Sequence, residues 1–371
     1  MAFPWHLGVY DAHCHPTDFM QYISTIPKMK ARCLTVMATR EQDQRLVFQL
    51  ATSFGVNCPA DLGDETPTRR VIPSFGWHPW FSHVIYDDTN LQSMNPSQEK
   101  DFKINHYKSI LIPIPEDIKF IESLPNPRSL KNFLEEIKNY LKIFPTALIG
   151  EIGLDKNFRI PIQWNDNKNI IINNINITPG TRNGRQLSKY RVNMNHQKII
   201  FRAQLQLAGE MNRSVSIHSV QAHGAVFDTL QDLWKEYKIQ NSTHKKTSII
   251  QSKNLEIETI DTKLSRPFPR RICLHAYSGS IDLLKQYLDP KVPAIIYFSF
   301  CALLNLPTDK VTEVIKAVPE DRILVESDFD KVTDDMDQLL EKMCRRICND
   351  KNWPLEKGVE ILGNNWRQFI F

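Results

Sequence analysis

Short apolar runs recur along the chain, and most of them are followed by longer segments in which apolar positions repeat with a helical period. The short runs are rich in β-branched and aromatic residues, which is typical of buried strands, whereas the longer segments are typical of amphipathic helices. The runs that fit the strand pattern are "HLGVYDAHCH", "RCLTVMAT", "RRVIPSFGWHP", "TALIGEIGLD", "RSVSIHSV", "RICLHAYSG", "AIIYFSF" and "RILVESDFD".

The alternation of strands and helices predicts parallel βαβ units. Helical segments such as "REQDQRLVFQLATSFG" and "SLKNFLEEIKNYLKIF" lie between the strand-like runs. Eight such units predict a single α/β domain over residues 1–371, folded as a (β/α)8 TIM barrel with long loop insertions. An open doubly wound sheet is the alternative, but it normally has a glycine-rich phosphate turn after its first strand, where this chain has "AHCHPT".

Three segments are longer than the connections that a barrel needs, at about residues 82–125, 156–195 and 238–268. Long connections of this kind are either functional loops or poorly ordered ones. The asparagine-rich second insertion follows the fourth strand, so we expect it at the C-terminal mouth of the barrel. The third insertion precedes the sixth strand, so its basic "RPFPRR" is expected at the opposite face.

The composition is that of a globular protein, with 42% hydrophobic and 24% charged residues in a chain of 371. A net charge of +4 permits an anionic substrate without requiring nucleic acid. Seven cysteines without a pairing pattern are typical of a reducing compartment. The sequence shows neither a secretory signal nor an apolar run long enough to span a bilayer, and we expect a cytoplasmic or nuclear protein without membrane association.

Side chains that can bind metal ions or transfer protons occur at the ends of the predicted strands. In a barrel, the C-terminal ends of all strands meet at one face, and that face carries the active site. Buried imidazoles and carboxylates at so many strand ends cost more than apolar residues would, so core packing does not explain them. The residues at these ends are His13, His15, His78, Glu151, Asp155, His218, His275 and Asp328.

The number of these side chains points to more than one metal ion. One ordinary zinc site takes four ligands in all, and this set offers more. The excess predicts two divalent ions that share a carboxylate and a water. Mixed imidazole and carboxylate ligands fit Zn, Mn, Co or Fe, and they fit Mg less well.

The order of the motifs "DAHCH", "GWHP", "GEIGLD", "IHS", "HAYSGS" and "ESD" resembles that of the TatD family of metal-dependent deoxyribonucleases, within the amidohydrolase-like barrels. The resemblance runs from residue 10 to about residue 330, with the insertions as unmatched gaps. It implies cleavage of phosphodiester bonds in DNA, in some members at 3′ ends. It also implies two sets of ligands: His13, His15, Glu151 and Asp328 for one ion, and Glu151, His218 and His275 for the other.

In the mechanism that the resemblance implies, Glu151 bridges both ions and the metal pair lowers the pKa of a shared water. Asp328 is expected to accept the proton of that water, so Glu151 and Asp328 are the two catalytic candidates. Glu326 and Asp11 each lie two residues before a predicted ligand. Together with Asp155, they are expected to orient the ligands without touching the ions.

Two motifs depart from the family's pattern on the substrate side. The third-strand motif commonly reads Gly-Ile-His-Pro-His, whereas this chain has "GWHPW" with Trp80 in place of the second histidine. The last motif usually reads Glu-Thr-Asp followed by Ser or Ala and then Pro, and here it is "ESDFD". We expect His78 to hold a substrate phosphate, with simple packing as the alternative. Trp77 and Trp80 are expected either to stack on a base or to form a hydrophobic rim.

These features support three functional hypotheses. The first is a dinuclear hydrolase that acts on DNA or nucleotide phosphodiesters. The second is an amidase, lactonase or deaminase on the same barrel, although many such enzymes bridge their metals with a modified lysine where "GEIGLD" supplies a glutamate. The third is a non-catalytic interaction protein. The sequence is similar to a fungal branch of the family, some members of which are described as partners of a mitotic ubiquitin-ligase subunit, so a protein partner of that kind is implied.

Overall fold

The computed structural model describes residues 2–63, 68–89, 99–162, 178, 185–251, 266–306 and 310–371. In this part of the chain, eight parallel strands form one sheet in their sequence order. The strands are Tyr10–Cys14 (β1), Cys33–Met37 (β2), Val71–Phe75 (β3), Leu148–Asp155 (β4), Val215–Val220 (β5), Arg271–Leu274 (β6), Ile295–Cys301 (β7) and Ile323–Glu326 (β8). Each predicted strand-like run contains or overlaps one of them, and the predicted barrel is confirmed.

The strands read as nearly continuous apolar runs because both faces of the sheet are covered. Strands β1, β2, β3 and β4 are buried at every position. One face of a parallel sheet of this kind packs in the barrel interior, and the other packs under the helices. Alternation of apolar and polar residues, which marks a sheet with one wet face, is therefore absent from these strands.

Helices cover the outside of the barrel, and none of the described helices is long and apolar enough to span a bilayer. They are Glu41–Phe54 (α1), Glu99–Ile110 (α2), Ile118–Ser123 (α3), Leu130–Ile143 (α4), Met194–Glu210 (α5), His223–Gln251 (α6), Ile281–Tyr287 (α7), Ala302–Asn305 (α8), Lys310–Ala317 (α9), Asp334–Lys351 (α10) and Leu355–Ile370 (α11). In α4 the buried positions Leu130, Phe133, Ile137 and Leu141 recur every three or four residues and face the core.

The C-terminal helix α11 closes the bottom of the barrel. The Trp366 ring stacks on Tyr10 at a centroid distance of 4.4 Å, and its indole N–H donates to the Thr35 hydroxyl at 3.1 Å. Phe369 packs against Tyr297, with ring centroids 5.3 Å apart. These contacts fill the N-terminal end of the interior with apolar side chains, so the opposite end is left for polar chemistry.

Backbone hydrogen bonds join the first and last strands at the C-terminal face. The Asp328 N–H donates to the His13 carbonyl at 3.0 Å, and the His15 N–H donates to the Phe329 carbonyl at 2.8 Å. Both bonds involve predicted metal ligands. The closure of the barrel therefore also fixes these ligands next to each other.

The insertions lie partly outside the described residues. In the first, α2 and α3 pack around their own apolar cluster, which includes Tyr107 and Ile121. Residues 163–177 and 179–184 of the second and 252–265 of the third are not among the described residues. Arg271, from the basic segment of the third, donates to the carbonyls of Gln368 and Ile370 at the bottom face, where the sequence predicted it.

Candidate metal centre

The predicted metal ligands meet at one cavity of about 890 Å³ in the C-terminal face of the barrel. Each of them lies in a strand or just after one: His13 in β1, His15 after β1, Glu151 in β4, His218 in β5, His275 after β6 and Asp328 after β8. All of them except His13 line the cavity, and His13 is fully buried. The structure therefore brings the predicted set together.

Irregularities in strand pairing occur at two of these ligands. The register between β1 and β2 shifts around His13, and the register between β4 and β5 shifts around Glu151. Bulges of this kind change the direction of a side chain, and they are common next to active sites. Gly153 follows with a φ of 146°, and an added Cβ there would lie 2.1 Å from the His218 carbonyl oxygen. Only glycine fits this close approach of β4 to β5.

His13, His15 and Asp328 form the first group of ligands. The two Nε2 atoms of the histidines lie 3.1 Å apart, and Asp328 Oδ1 lies 3.4 Å from His15 Nε2 and 3.9 Å from His13 Nε2. Asp328 has a φ of 51°, a left-handed conformation that aspartate adopts more readily than most residues. The backbone conformation thus holds this carboxylate beside the two imidazoles.

Glu151 joins the first group to a second one, because its two carboxylate oxygens face different histidines. Oε2 lies 3.4 Å from His15 Nε2 and 3.5 Å from His13 Nε2. Oε1 lies 2.8 Å from both His218 Nδ1 and His275 Nε2. A carboxylate with one oxygen toward each group is placed to bridge two ions.

The imidazole nitrogens in this cluster point at one another, and this arrangement shows whether the cluster is suited to bind cations. His218 Nδ1 lies 3.3 Å from His275 Nε2, much as His13 and His15 approach each other. When two neutral imidazoles face each other, at most one of the two facing nitrogens can donate a proton to the other. Nitrogen lone pairs and the Glu151 carboxylate therefore point into the same small volume. Divalent ions satisfy convergent imidazole and carboxylate lone pairs, and the donor set therefore fits a metal centre.

His78 lies among the predicted ligands rather than apart from them. Its Nε2 is 3.1 Å from Glu151 Oε1, and it forms a further candidate metal-binding group with Glu151 and His218. The backbone N–H of Trp80 donates to His78 Nδ1 at 3.1 Å and sets the orientation of the ring. The structure therefore places His78 within reach of an ion as well as at the cavity surface where a substrate would lie.

Burial and close charges shift the pKa values of these groups. Burial acts to raise the pKa of Glu151, but the surrounding histidines, His78 foremost, hold it well below its usual range. Burial lowers the pKa of His78 to about 4. Burial also acts to lower the pKa of His15, yet the hydrogen bond to Asp328 outweighs it and raises that pKa to about 9. The carboxylate at the centre is thus ionised, as a metal ligand must be.

Asp155, which the sequence predicted as a supporting carboxylate, contacts His218. Its Oδ2 lies 3.2 Å from His218 Nε2, which turns Nδ1 of that ring toward Glu151. The Trp80 indole N–H donates to the same oxygen at 2.6 Å, and the Phe158 backbone N–H donates to Oδ1 at 2.8 Å. Burial acts to raise the pKa of Asp155, but His218 and these donors bring it to about 2.

Glu326 supports the loop that carries His275. It accepts hydrogen bonds from the Ala276 backbone N–H at 2.6 Å and from the Ser299 hydroxyl at 2.5 Å. His275 Nδ1 lies 3.7 Å from Glu326 Oε1, a distance that suits an ion pair with a protonated ring rather than a hydrogen bond. Its main effect is therefore on the backbone beside the ligand.

Asp11 also accepts hydrogen bonds from the backbone, where β1 lies next to β8. It accepts hydrogen bonds from the backbone N–H groups of His13 at 3.1 Å and Ser327 at 3.0 Å, and from the Ser327 hydroxyl at 2.5 Å. Burial raises its pKa to about 7. These bonds hold the two chain segments on which His13 and Asp328 lie.

Ser216 has a role that the sequence analysis missed. Its hydroxyl lies 2.8 Å from His13 Nδ1, so the other ring nitrogen faces the cluster. A signal for it was present, because Ser216 precedes His218 by two residues on β5 and therefore points to the same side of the strand. A serine at such a position is too common to be singled out without its partner.

The two tryptophans of the third-strand motif have different positions. Trp77 is only 2% exposed, its indole N–H donates to the Phe81 carbonyl at 2.7 Å, and it packs edge-on against Phe133. Trp77 is not among the described residues that line the cavity, so the predicted base stacking by Trp77 is wrong. Trp80 does line the cavity, but one face of its ring already stacks on Phe158 with an interplanar angle of 17°.

Comparison with protein families matches residues 10–370 to the family described as "TatD related DNase". The chain is 36% identical over 365 residues to "Cut9-interacting protein scn1" of Schizosaccharomyces pombe, and the match covers 98% of each protein. It is 26% identical over 327 residues to "Uncharacterized deoxyribonuclease YMR262W" of Saccharomyces cerevisiae, covering 86% of this chain and 82% of that relative.

A solved structure shows the same fold. YJJV, a TatD homolog from Escherichia coli K12, superposes with a TM-score of 0.55 at 15% identity, over 99% of this chain and 98% of that chain. At such low identity the likeness concerns the fold. It agrees with the barrel described above.

Proposed function

The chain belongs to the TatD family of metal-dependent hydrolases, and we propose that it cleaves phosphodiester bonds in DNA, at the 3′ ends of single strands. The observation that carries this proposal is the position of Glu151. One of its oxygens faces His13 and His15, and the other faces His218 and His275. Paired ions on either side of one carboxylate are the arrangement that stabilises both the attacking and the leaving oxygen of a phosphodiester.

We propose that two divalent ions occupy the centre, and that the donors favour Zn, Mn, Co or Fe over Mg. When bound, such ions lower the pKa of a water and offset the negative charge of a phosphate. One set of proposed ligands is His13, His15, Glu151 and Asp328, and the other is Glu151, His218 and His275. His78 forms a candidate metal-binding group with Glu151 and His218.

The protein's own groups prepare this chemistry by fixing protons. Because Asp155 accepts from His218 Nε2, the proton stays on that nitrogen and Nδ1 keeps its lone pair for the centre. The Ser216 hydroxyl has the same effect on His13 Nδ1. Burial acts to raise the pKa of Asp328, but the hydrogen bond to His15 and the nearby imidazoles lower it, so Asp328 is ionised and able to accept a proton from the attacking water.

Protein binding is a second candidate function. The Schizosaccharomyces pombe relative is named for an interaction with Cut9, and its identity of 36% extends over almost the whole chain. We propose that this chain binds a partner of the same kind through a surface outside the cavity. The two functions are compatible, and a binding assay with a variant that lacks metal ligands separates them.

The proposed activity is tested with the full-length protein, stripped of metal and then loaded with manganese or zinc. The substrate is a 5′-labelled single-stranded oligonucleotide with a free 3′ end, and small amide, ester and lactone substrates represent the other hydrolases of this fold. We expect shortening of the strand from its 3′ end and little turnover of the others. Equal DNA cleavage by the wild type and by Asp328→Asn would point to a contaminating nuclease and would refute the proposal.

A further inference from the structure

Two arginines line the β4 side of the cavity. Arg159 and Arg191 are exposed and line the cavity. The residues next to them are paired, since the Ile160 N–H donates to the Tyr190 carbonyl at 2.9 Å. An antiparallel bridge between Pro161 and Leu187 continues this pairing. Although the arginines are far apart in sequence, the pairing brings together the two segments that carry them, and both side chains line the cavity.

Apolar side chains line the opposite side of the same cavity. Leu303 and Leu304, in the short helix after β7, are 49% and 58% exposed and line the cavity, as does the partly buried Phe329 after β8. In a barrel with sequential strand order, β7 and β8 lie across from β4. Exposed leucines at the mouth of a cavity mark a surface that an apolar group covers when a ligand binds.

The acidic residues reinforce this difference between the two sides. Asp18 and Asp330 line the cavity near β1 and β8, and Asp18 lies 2.8 Å from the guanidinium of Arg40. On the β4 side, the lining carboxylate Asp155 is engaged by His218 and Trp80. Arg40 also lines the cavity and offsets the charge of Asp18. The arginines on the β4 side therefore attract backbone phosphates, whereas Asp330 disfavours a phosphate on the side of β8.

We propose that the mouth of the cavity is a two-sided subsite for single-stranded nucleic acid. Arg159 and Arg191 hold backbone phosphates, and Leu303 and Leu304 pack against a base without reading its identity. This inference rests on the proposed function, because it takes the phosphodiester at the metal centre as the point from which the strand extends to both sides. The inference means that a good substrate has charged phosphates on one side of the cleaved bond and a base on the other.

The test measures binding to the metal-loaded, full-length protein by fluorescence anisotropy. The probe is a labelled single-stranded oligothymidylate with a phosphorothioate backbone, which resists cleavage. For the double variant R159Q/R191Q we expect the Kd to rise about tenfold, and the slope of log Kd against log salt to fall by about 1.4, since each contact with a single strand contributes about 0.7. Lys156→Gln is the matched control, because Lys156 is exposed in the same loop but is not among the described residues that line the cavity.

A second probe, an abasic phosphorothioate strand of the same length, isolates the leucines. For L303A/L304A we expect the Kd for oligothymidylate to rise about threefold or more while the Kd for the abasic strand is unchanged. Hydrolysis of bis(p-nitrophenyl) phosphate, which needs neither side of the mouth, should be retained in both double variants. Retained hydrolysis with unchanged strand binding in R159Q/R191Q overturns the subsite alone, whereas a wild type that hydrolyses no phosphodiester overturns the proposed function.

Discussion

The indole N–H of Trp80 donates a 2.6 Å hydrogen bond to Oδ2 of Asp155. The same oxygen lies 3.2 Å from His218 Nε2, so Trp80 acts on a proposed metal ligand through one intervening carboxylate. The sequence predicted Trp80 as a replacement for a family histidine on the substrate side, where it would stack on a base or form a hydrophobic rim. In the structure it is a positioning residue, since its hydrogen bond restrains the carboxylate that restrains the imidazole.

This relationship predicts that Trp80→Phe weakens metal binding. Phenylalanine keeps an aromatic ring beside Phe158 but cannot donate to Asp155, which leaves the carboxylate freer to turn away from His218. Loss of an outer hydrogen bond of this kind typically costs about 10–100-fold in metal affinity. Chelator competition measures the change, and rescue at high metal concentration separates it from a folding defect.

The control for this prediction is Trp234→Phe. The Trp234 indole is buried, and its N–H has no hydrogen-bond partner among the described residues. The substitution therefore makes the same chemical change without removing a contact to the centre. Equal metal affinity in the wild type, Trp80→Phe and Trp234→Phe would show that the Trp80–Asp155 bond does not position His218.

The bridging position of Glu151 predicts that one substitution affects both ions. In Glu151→Ala the two groups of histidines lose their common carboxylate. His13 and His15 then keep only Asp328 as a proposed carboxylate ligand beside them, and His218 and His275 keep none. We expect the variant to retain no ion, or one weakly bound ion, when its metal content is measured after gel filtration. Glu313→Ala, at an exposed position on α9, is the control. Full occupancy by two ions in Glu151→Ala would exclude a bridging role.

The left-handed backbone at Asp328 allows a clean test of its charge. Its φ of 51° is tolerated by asparagine as readily as by aspartate, so Asp328→Asn changes the charge with little strain. Removal of a group that transfers a proton typically lowers kcat by a factor of about 10²–10⁴. We expect that loss on bis(p-nitrophenyl) phosphate at saturating metal, and a cooperative thermal unfolding transition shows that the variant is still folded. Asp289→Asn, at the surface after α7, should retain full activity.

The barrel and most of the centre were predictable because both depend on strand periodicity and strand ends. His13, His218 and His275 stand out as imidazoles at the C-terminal ends of apolar runs, and the alternation of elements places those ends together. Trp77 and Trp80 were not separable by this reasoning. They are three residues apart, and Trp80 already lies in the 3-10 helix Pro79–Val84, where neither strand nor α-helix periodicity predicts the direction of a side chain.

Pairings between segments that are distant in sequence could not be predicted from the sequence either. The bulges around His13 and Glu151 depend on the register with a neighbouring strand, and a register shift leaves no mark in either strand alone. Arg159 and Arg191 line the same cavity only because the segments next to them pair, although they are far apart in sequence. His78 was expected at the substrate, and its approach to Glu151 follows from the distance between β3 and β4, which no pattern in the sequence records.

The raised pKa of His15 predicts how the metal-free protein responds to pH. Its pKa is about 9 in the folded chain against an ordinary value of 6.5. Burial acts to lower this pKa, but the hydrogen bond to Asp328 and the nearby carboxylates outweigh burial and raise it. Folding therefore favours the protonated ring. The stabilisation is fully present below pH 6.5 and is lost as the pH rises through about 9.

Thermal unfolding in the presence of a chelator, measured from pH 6 to pH 9.5, tests this prediction with wild type and His15→Gln. Because glutamine does not titrate, the difference in unfolding temperature between the two proteins should be largest at the acidic end and should shrink toward pH 9.5. His6→Gln, at an exposed position before β1, should follow the wild type throughout. A difference that stays constant over this range would mean that protonated His15 is not held by Asp328 in the metal-free centre.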